Sequence, residues 1–578
     1  MKTHTMKKAA VAACVLLLAV TLTTLQVSAQ STERVTEPVN ATEFDVSPGR
    51  TYGVPGFAVD PGDPLHILAA AVDLRTQSCG TMETTDGGQS WASLDSSPST
   101  DAFPLCLMTN SHTTQGKLAF GSDDRLYYAL GGWDTTDGAN RSIMVGRSDD
   151  MGESWQTTVV REARGLEDEE QQPNRPLSGF AVDTSGDEDV VYVTWRQQHR
   201  FTAPNQLPNL PMMAVSTDGG VTFSEPINLV GEHFAEPEAR AEVIAATTTT
   251  AAPPETTTTT ADPDTTTTTE AEKPPTTTTT APPGSPASDP DQQVNFGGTN
   301  PVVAVDDAGT AYVAWVTTVQ NFDSDKRPSP AHMLTRTSDH GETIETFQIS
   351  PFEPENVNGF GGIEMVWSPE GGTDGTLHVA YEASRTPNVS SERDVFYRQS
   401  TDRGETWSEA VVVNDDDPAQ LYFSGIPKIS VAPNGRLDVA WFDTRSDPGL
   451  NTNDVYYAYS TDNGASWSEN IRVTDRSIDR RVGVFALQFD LNGPPGIAST
   501  DAFALVGWDD TRNFDDVTHG QDIYTAAVQF EELPAATSST AQYLLAGVIG
   551  LVAVGLLFVL LALLVRRRDM RRQALAAT

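Results

Sequence analysis

Basic residues are scarce in this chain: 37 lysines and arginines stand against 79 aspartates and glutamates, a net charge of −42 over 578 residues. Such acidity excludes binding along a nucleic-acid backbone, which needs basic patches to meet phosphates. It also disfavours peripheral docking on anionic lipid, favours solubility and defines no ligand. Cysteine is nearly missing, with only Cys14, Cys79 and Cys106, and no Cys/His cluster has the spacing of a zinc site. His199, His233, His332, His378 and His519 show no paired spacing that suggests a metal or a base beside a nucleophile. The acidic stretches 183–189, 415–417 and 515–516 lack the regular ligand spacing of a calcium loop and read as solvated turns. No metal and no cofactor is expected.

Long apolar runs are confined to the two ends. Lys7 and Lys8 precede the run 9–22, and Val27-Ser-Ala29 supplies a small-residue cleavage pattern, which predicts a secretory signal over 1–29. Residues 543–565 carry no charge over 23 positions, long enough to cross a bilayer as a helix. Arg566, Arg567, Arg568, Arg571 and Arg572 follow and mark the cytoplasmic side. The expected product is a single-pass cell-membrane protein: ectodomain 30–530 outside, stalk 531–542, transmembrane helix 543–565, and cytoplasmic tail 566–578. Outside the cell, Cys79 and Cys106 are expected to pair as a disulfide. Residues 241–290 hold four threonine runs spaced by Pro, Ala and acidic residues. Their composition supports no core, so a disordered spacer is expected.

Against this background one pattern recurs six times, Ser/Thr-x-Asp-x-Gly-x-x-aromatic. Its key positions are Asp86, Gly88 and Trp91; Asp150, Gly152 and Trp155; Asp218, Gly220 and Phe223; Asp339 and Gly341; Asp402, Gly404 and Trp407; and Asp462, Gly464 and Trp467. Only the fourth copy is degenerate, with Ile344 in the aromatic place. Each residue type suits a turn: Asp accepts from backbone N–H groups two or three residues on, and Gly takes a positive φ. The aromatic then opens the next strand and packs beneath the turn.

The intervals between these aspartates are 64, 68, 121, 63 and 60 residues, and removing the 50 of the threonine-rich insert from the long one leaves 71. A second element, an apolar run ending in an aromatic, precedes four of the copies: Val193-Thr-Trp195, Val313-Ala-Trp315, Val379-Ala-Tyr381 and Val439-Ala-Trp441. With an earlier strand such as Gly56-Phe-Ala-Val-Asp60 and a run just before each turn, every unit holds four short strands. That is the period of a propeller blade. Val506-Gly-Trp508 and the run 522–528 mark a seventh unit without a turn copy, lacking its fourth strand. The stretch 34–40 resembles fourth strands such as Asn470-Ile-Arg-Val-Thr474, so it is expected to complete the last blade and close the ring, removing exposed edges. The fold class is therefore an all-β propeller of seven four-stranded blades; six blades with an extra sheet is the alternative.

The six copies resemble the Asp-box, or BNR, repeats of the sialidase superfamily over roughly residues 50–530. The resemblance implies a sialidase-like propeller, with these turns on the rim, away from the ligand-binding face. Activity in that family implies three arginines clamping a carboxylate, a Tyr–Glu pair and an acid Asp. The first arginine belongs to a Tyr-Arg-Ile-Pro sequence, and the matching segment here is Tyr52-Gly53-Val54-Pro55, where glycine offers no guanidinium. Ala71-Val-Asp73-Leu-Arg75 resembles the strand carrying an accessory arginine, yet the following Thr76-Gln-Ser-Cys-Gly80 contains no carboxylate.

Asp73-x-Arg75, Asp443-x-Arg445 and Asp510-x-Arg512 recur after the second strand, Arg385 has the same offset from its aromatic, and Arg196 lies nearby in its own unit. Recurrence at equivalent positions signals a structural Asp–Arg pair repeated with the blade. As inner-strand cations, Arg75, Arg196, Arg385, Arg445 and Arg512 are also the candidate ligand-binding residues. The expected function is a membrane-anchored surface protein that binds a glycan or protein ligand without hydrolysis, and no nucleic acid. An exo-alpha-sialidase or other glycoside hydrolase, and a structural envelope protein, are the alternatives.

Overall fold

A computed structural model describes residues 32–45, 51–73, 75–76, 78–94, 96–101, 105–106, 116–133, 141–161, 177–197, 209–230, 295–320, 332–350, 356–357, 362–372, 374–384, 393–418, 420, 422–447, 449, 451–483, 494–514, 520–531 and 566. The predicted signal, insert and transmembrane helix lie outside the described residues, as do the stalk beyond Glu531 and Arg385. Among the described residues no helix is long and apolar enough to cross a membrane. The chain divides into two compact units, 35–528 and the two chain ends together. In the second unit the described residues are the outer parts of strands Thr32–Val35 and Asp522–Glu531, and Arg566.

The strands group into seven antiparallel sheets, the seven blades expected. Blade one is Tyr52–Asp60, Asp63–Asp73, Ser78–Thr84 and Ala92–Ser93. Blade two has Leu105–Cys106 and Lys117–Phe120 sharing the first position, then Leu126–Trp133, Arg141–Ser148 and Gln156–Arg161. Blade three is Leu177–Asp183, Val190–Gln197, Leu210–Ser216 and Ile227–Asn228, and blade four is Asn295–Val305, Ala311–Gln320, His332–Thr337 and Glu345–Gln348. In blade five Asn356–Val357 and Ile363–Ser368 share the first position, before Thr376–Ser384, Asp394–Ser400 and Val411–Val412. Blade six is Ser424–Val431, Leu437–Asp443, Thr452–Ser460 and Ile471–Arg472, with Ile478–Asp479 added on its third strand. Four-stranded blades are thus the rule, and short extra segments bring four of the sheets to five strands.

Blade seven contains Gly496–Ser499, Phe503–Asp510 and Asp522–Glu531, completed by Thr32–Val35 and Val39–Asn40 from the start of the chain. Val39 pairs with Thr525 and Asn40 with Tyr524. The Thr36 N–H donates to the Ala527 carbonyl at 2.9 Å, and the Ala41 N–H to the Ile523 carbonyl at 2.8 Å. The closure expected from residues 34–40 is present. Each first strand packs against the first strands of both neighbouring blades, round the whole ring, so the first strands line the axis.

The hydrophobic pattern explains the layering. Second strands are buried on both faces and read as continuous apolar runs: Leu437–Asp443 and Phe503–Asp510 are buried at every position. Trp195, Trp441 and Trp508, the aromatic markers of the sequence, are among the largest fully buried side chains.

Antiparallel order places the connections at two ends of each blade. First-to-second and third-to-fourth connections share one end, which also holds the six turns. Second-to-third connections and the passages between blades share the other. The six turns are built alike. The opening Ser or Thr hydroxyl donates to Asp Oδ1, as from Ser460 to Asp462 at 2.8 Å, and accepts from the Gly N–H, as from Gly464 at 2.9 Å. Asp Oδ1 accepts from the N–H four residues on in all six copies, from Ser90, Ser154, Thr222, Thr343, Thr406 and Ser466. In copies one and three it also accepts from the N–H three residues on, as expected, from Gln89 and Val221; the reach to the fourth residue comes from the positive φ of the residues before it, which folds the loop back over the carboxylate. The Ser148 and Ser154 hydroxyls hold Asp150 below the usual carboxylate range. The fourth copy keeps all these bonds despite Ile344, so the aromatic is not needed to close the turn. Its task is packing: Trp91 donates to Thr525 of blade seven at 3.2 Å, and Trp467 packs edge-on against Tyr397 of blade five at 5.1 Å.

Candidate functional site

The end of the blades opposite the six turns holds the Asp-x-Arg pairs. The second strand stops at its Asp because that carboxylate accepts the N–H of the Arg two residues on, closing an Asx-type turn. Arg445 N donates to Asp443 Oδ1 at 2.7 Å, Arg512 N to Asp510 Oδ1 at 2.8 Å, and Arg75 N to Asp73 Oδ1 at 2.9 Å. The other carboxylate oxygen accepts from the same guanidinium, at 2.8, 2.7 and 2.9 Å. In blades six and seven it also accepts from the buried indoles of Trp441 and Trp508. The guanidiniums lie over the rings of Tyr456 and Tyr524, at 4.2 and 3.9 Å.

Each of these arginines also reaches back to the preceding blade. Arg445 donates to Asp415 at 2.6 Å, Arg512 to Asp475 at 2.8 Å, and Arg75 lies 3.6 Å from Asp45. Asp415, Asp475 and Asp45 each follow the outermost strand of the blade before. The module is therefore an Asp–Arg–Asp clasp between neighbours. Asp415 and Asp417 are exposed, as expected of a solvated turn, and Asp415 serves the clasp as well; its sequence signal is an Asp three residues past the outer strand, Asp415 after Val412 and Asp475 after Arg472. Beside the clasp, burial pushes the Asp416 carboxyl up. Arg196 is buried in blade three, and burial pushes its guanidinium down.

On the axis, side chains from three separate first strands converge. Lys428 of blade six forms an ion pair with Glu364 of blade five, and Lys117 of blade two lies within hydrogen-bonding reach of Lys428. Burial and the neighbouring Lys428 push the Lys117 amine down to about 7, with Glu364 pulling the other way. The first strands of blades one, three, four and six are bulged near this level. Pro55, Pro301 and Pro427 sit in or beside three of the bulges, where a missing N–H costs no ladder bond. Ile426, in the blade-six bulge, is 2% exposed and has φ 57, a strained value for a β-branched residue. Its N–H donates to Glu382 at 2.9 Å. Ser178, Asn300, Gly362, Glu364, Ile426 and Pro494 enclose a space of about 10 Å³ there, the room of one water.

The remaining expected features are placed as follows. Cys79 is disulfide-bonded, while the Cys106 side chain lies outside the described residues. His332 and His378 are buried within blades four and five, and burial pushes both down to about 3. His378 bonds Tyr397 at 2.7 Å and Ser368 at 3.1 Å, which makes it a core residue. Among the described residues no group of three or more His, Cys, Asp or Glu side chains is placed to hold a metal ion.

No protein-family profile and no curated protein matches the chain. Solved structures do match in fold. A Hadza microbial sialidase aligns at 15% identity and a TM-score of 0.38, covering 72% of this chain and 66% of its own. A Penicillium chrysogenum alpha-L-arabinanase complexed with arabinobiose aligns at 14% and 0.37, covering 71% and 94%. The Trypanosoma rangeli sialidase in complex with the inhibitor DANA aligns at 9% and 0.37, covering 72% and 55%. The chain thus spans less than two thirds of the length of the two sialidases. The structural neighbours include sialidases and an arabinanase, and the chain itself is a seven-bladed propeller.

Proposed function

We propose that this chain is a surface-displayed binding protein whose propeller holds a glycan or protein ligand without hydrolysing it. The observation that carries the reading is the use made of the arginines. Arg445 and Arg512 are each spent between two carboxylates of adjacent blades, and a guanidinium so held is a poor clamp for an incoming carboxylate. Gly53 stands where the resemblance implies another arginine. On the axis, the Lys428–Glu364 pair is neutralised internally. Secretion and anchoring through 543–565 belong to the same proposal, resting on the charge-free run and the arginines behind it.

The test is hydrolysis of fluorogenic sialosides and arabinosides by the purified full chain, run beside a glycan array and a pull-down from a cell surface. Binding without turnover supports the proposal. Release of sugar at an enzyme's ordinary rates, about 1 s⁻¹ or more, overturns it in favour of a glycoside hydrolase.

A further inference from the structure

Blade one has a cavity, and its origin is visible in the sheet. The outer strand Ala92–Ser93 covers only Met82 and Glu83 of the third strand, and Leu94 donates its N–H to the Thr81 carbonyl at 3.0 Å. The chain then leaves: the Ser96 hydroxyl bonds the Gly152 carbonyl of blade two. In blade six the residues at the same register, Asp454 to Tyr456, are covered by the outer strand: Tyr456 pairs with Arg472, and the Val473 N–H donates to the Val455 carbonyl at 2.8 Å. In blade one the corresponding residues, Ser78 to Gly80, line an open space of about 230 Å³ instead. It lies at the clasp end of the blade, since Asp73 and Tyr52 line it too. At about 30 Å³ per liquid water it holds roughly seven or eight waters, and it falls below the roughly 300 Å³ at which drug-sized pockets begin. A single small ring fits that size.

The lining is mixed in a specific way. Phe44 and Tyr52 form an edge-to-face aromatic corner with centroids 6.1 Å apart. Ser78, Thr81, Ser93, Ser96 and Ser97 also line the cavity. Thr81 is 1% exposed, and its hydroxyl has no hydrogen-bond partner among the described residues. A buried hydroxyl left without a partner carries a desolvation cost that an occupant's own hydroxyl removes. Asp73 lines the wall as well, Asp45 accepts from the Tyr52 hydroxyl at 3.1 Å, and Arg75 lies beside both carboxylates.

We propose that this cavity is a subsite for one uncharged polyhydroxylated ring, a neutral monosaccharide unit, placed off the propeller axis. The ring's apolar face meets Phe44 and its hydroxyls meet the serine and threonine wall, while the Asp73 carboxylate in that wall rejects acidic sugars. The inference rests on the ligand-binding reading above and sharpens it to a neutral glycan.

The experiment titrates the full chain with neutral hexoses and pentoses, and separately with N-acetylneuraminic acid, followed by saturation-transfer NMR. Thr81→Val, which keeps shape and removes the hydroxyl, and Phe44→Ala are titrated in parallel, with thermal unfolding confirming that each variant folds. The expected result is saturable binding of a neutral sugar, weakened about three- to tenfold by Thr81→Val and further by Phe44→Ala, with no saturation by the acidic sugar. Binding that both folded variants leave unchanged overturns the subsite but spares the binding reading. Preference for the acidic sugar, or no saturable binding of any neutral sugar, also overturns it. Hydrolysis of a sugar by wild type and variants alike would instead sink the non-hydrolytic reading.

Discussion

Replacing Gly152 and Gly464 by alanine separates two costs that the six turns combine. Both glycines have positive φ, 92 and 80 degrees, and an L residue there costs about 1–2 kcal/mol. Their surroundings differ. A Cβ at position 152 finds Leu126 and Leu94 no nearer than 3.4 Å, an ordinary contact. A Cβ at position 464 lands on the hydroxyl and ring of Tyr397 in the preceding blade. That ring cannot retreat easily: it is 1% exposed, bonded to His378 at 2.7 Å and packed against Trp467. Overpacking of this kind adds about 1–3 kcal/mol. Gly152→Ala should therefore cost about 1–2 kcal/mol and Gly464→Ala about 2–5 kcal/mol. Urea unfolding of the full chain, read as a midpoint shift at constant slope, measures both. A Tyr397→Ala background should erase most of the difference, as a coupled pair requires. Equal costs at the two positions, or a difference that survives Tyr397→Ala, would refute the idea that these glycines seat one blade against the next.

Three further outcomes are expected. Arg512→Ala should destabilise the fold by about 3–5 kcal/mol, because it strands the buried Asp510 carboxylate; a loss below about 0.5 kcal/mol would mark Arg512 as a surface arm. His332 and His378 have folded values near 3, below the unfolded 6.5, so their contribution is complete above pH 6.5 and falls as acid protonates the unfolded chain. Between pH 6.5 and 5 the loss is about 2 kcal/mol for each, and His378→Gln should flatten that slope in urea midpoints measured across the range. Deleting residues 30–41 should expose the edge of Asp522–Glu531 and promote concentration-dependent association in sedimentation; a monodisperse deletion of unchanged Tm would contradict the closure role.

The blades were legible in the sequence because their signals are local and repeated. A turn of fixed chemistry, an aromatic at a fixed distance before it and a constant period leave few architectures, and even the boxless seventh blade follows from Trp508 and the run 522–528. The clasp was half legible. Asp-x-Arg is a local pattern, whereas its third member, Asp415 or Asp475, lies in the previous blade and shows no short-range spacing to the arginine. The axial group left no trace at all, since Lys117, Glu364 and Lys428 come from three blades and none recurs in the others. The cavity of blade one arises from what its outer strand fails to cover, and a linear pattern does not record that.

Ring closure also fixes a schedule. Thr36 and Ala527 are hydrogen-bonded across 491 residues, so the sheet begun by the first strand to emerge is finished by nearly the last. Contacts this distant are slow to form. Blades one to six can assemble as they appear, but the seventh waits for the whole body of the chain. Until then residues 32–40 form an orphan edge able to pair with any passing strand. A chaperone or export machine that delays release of this chain would be protecting that edge more than any core.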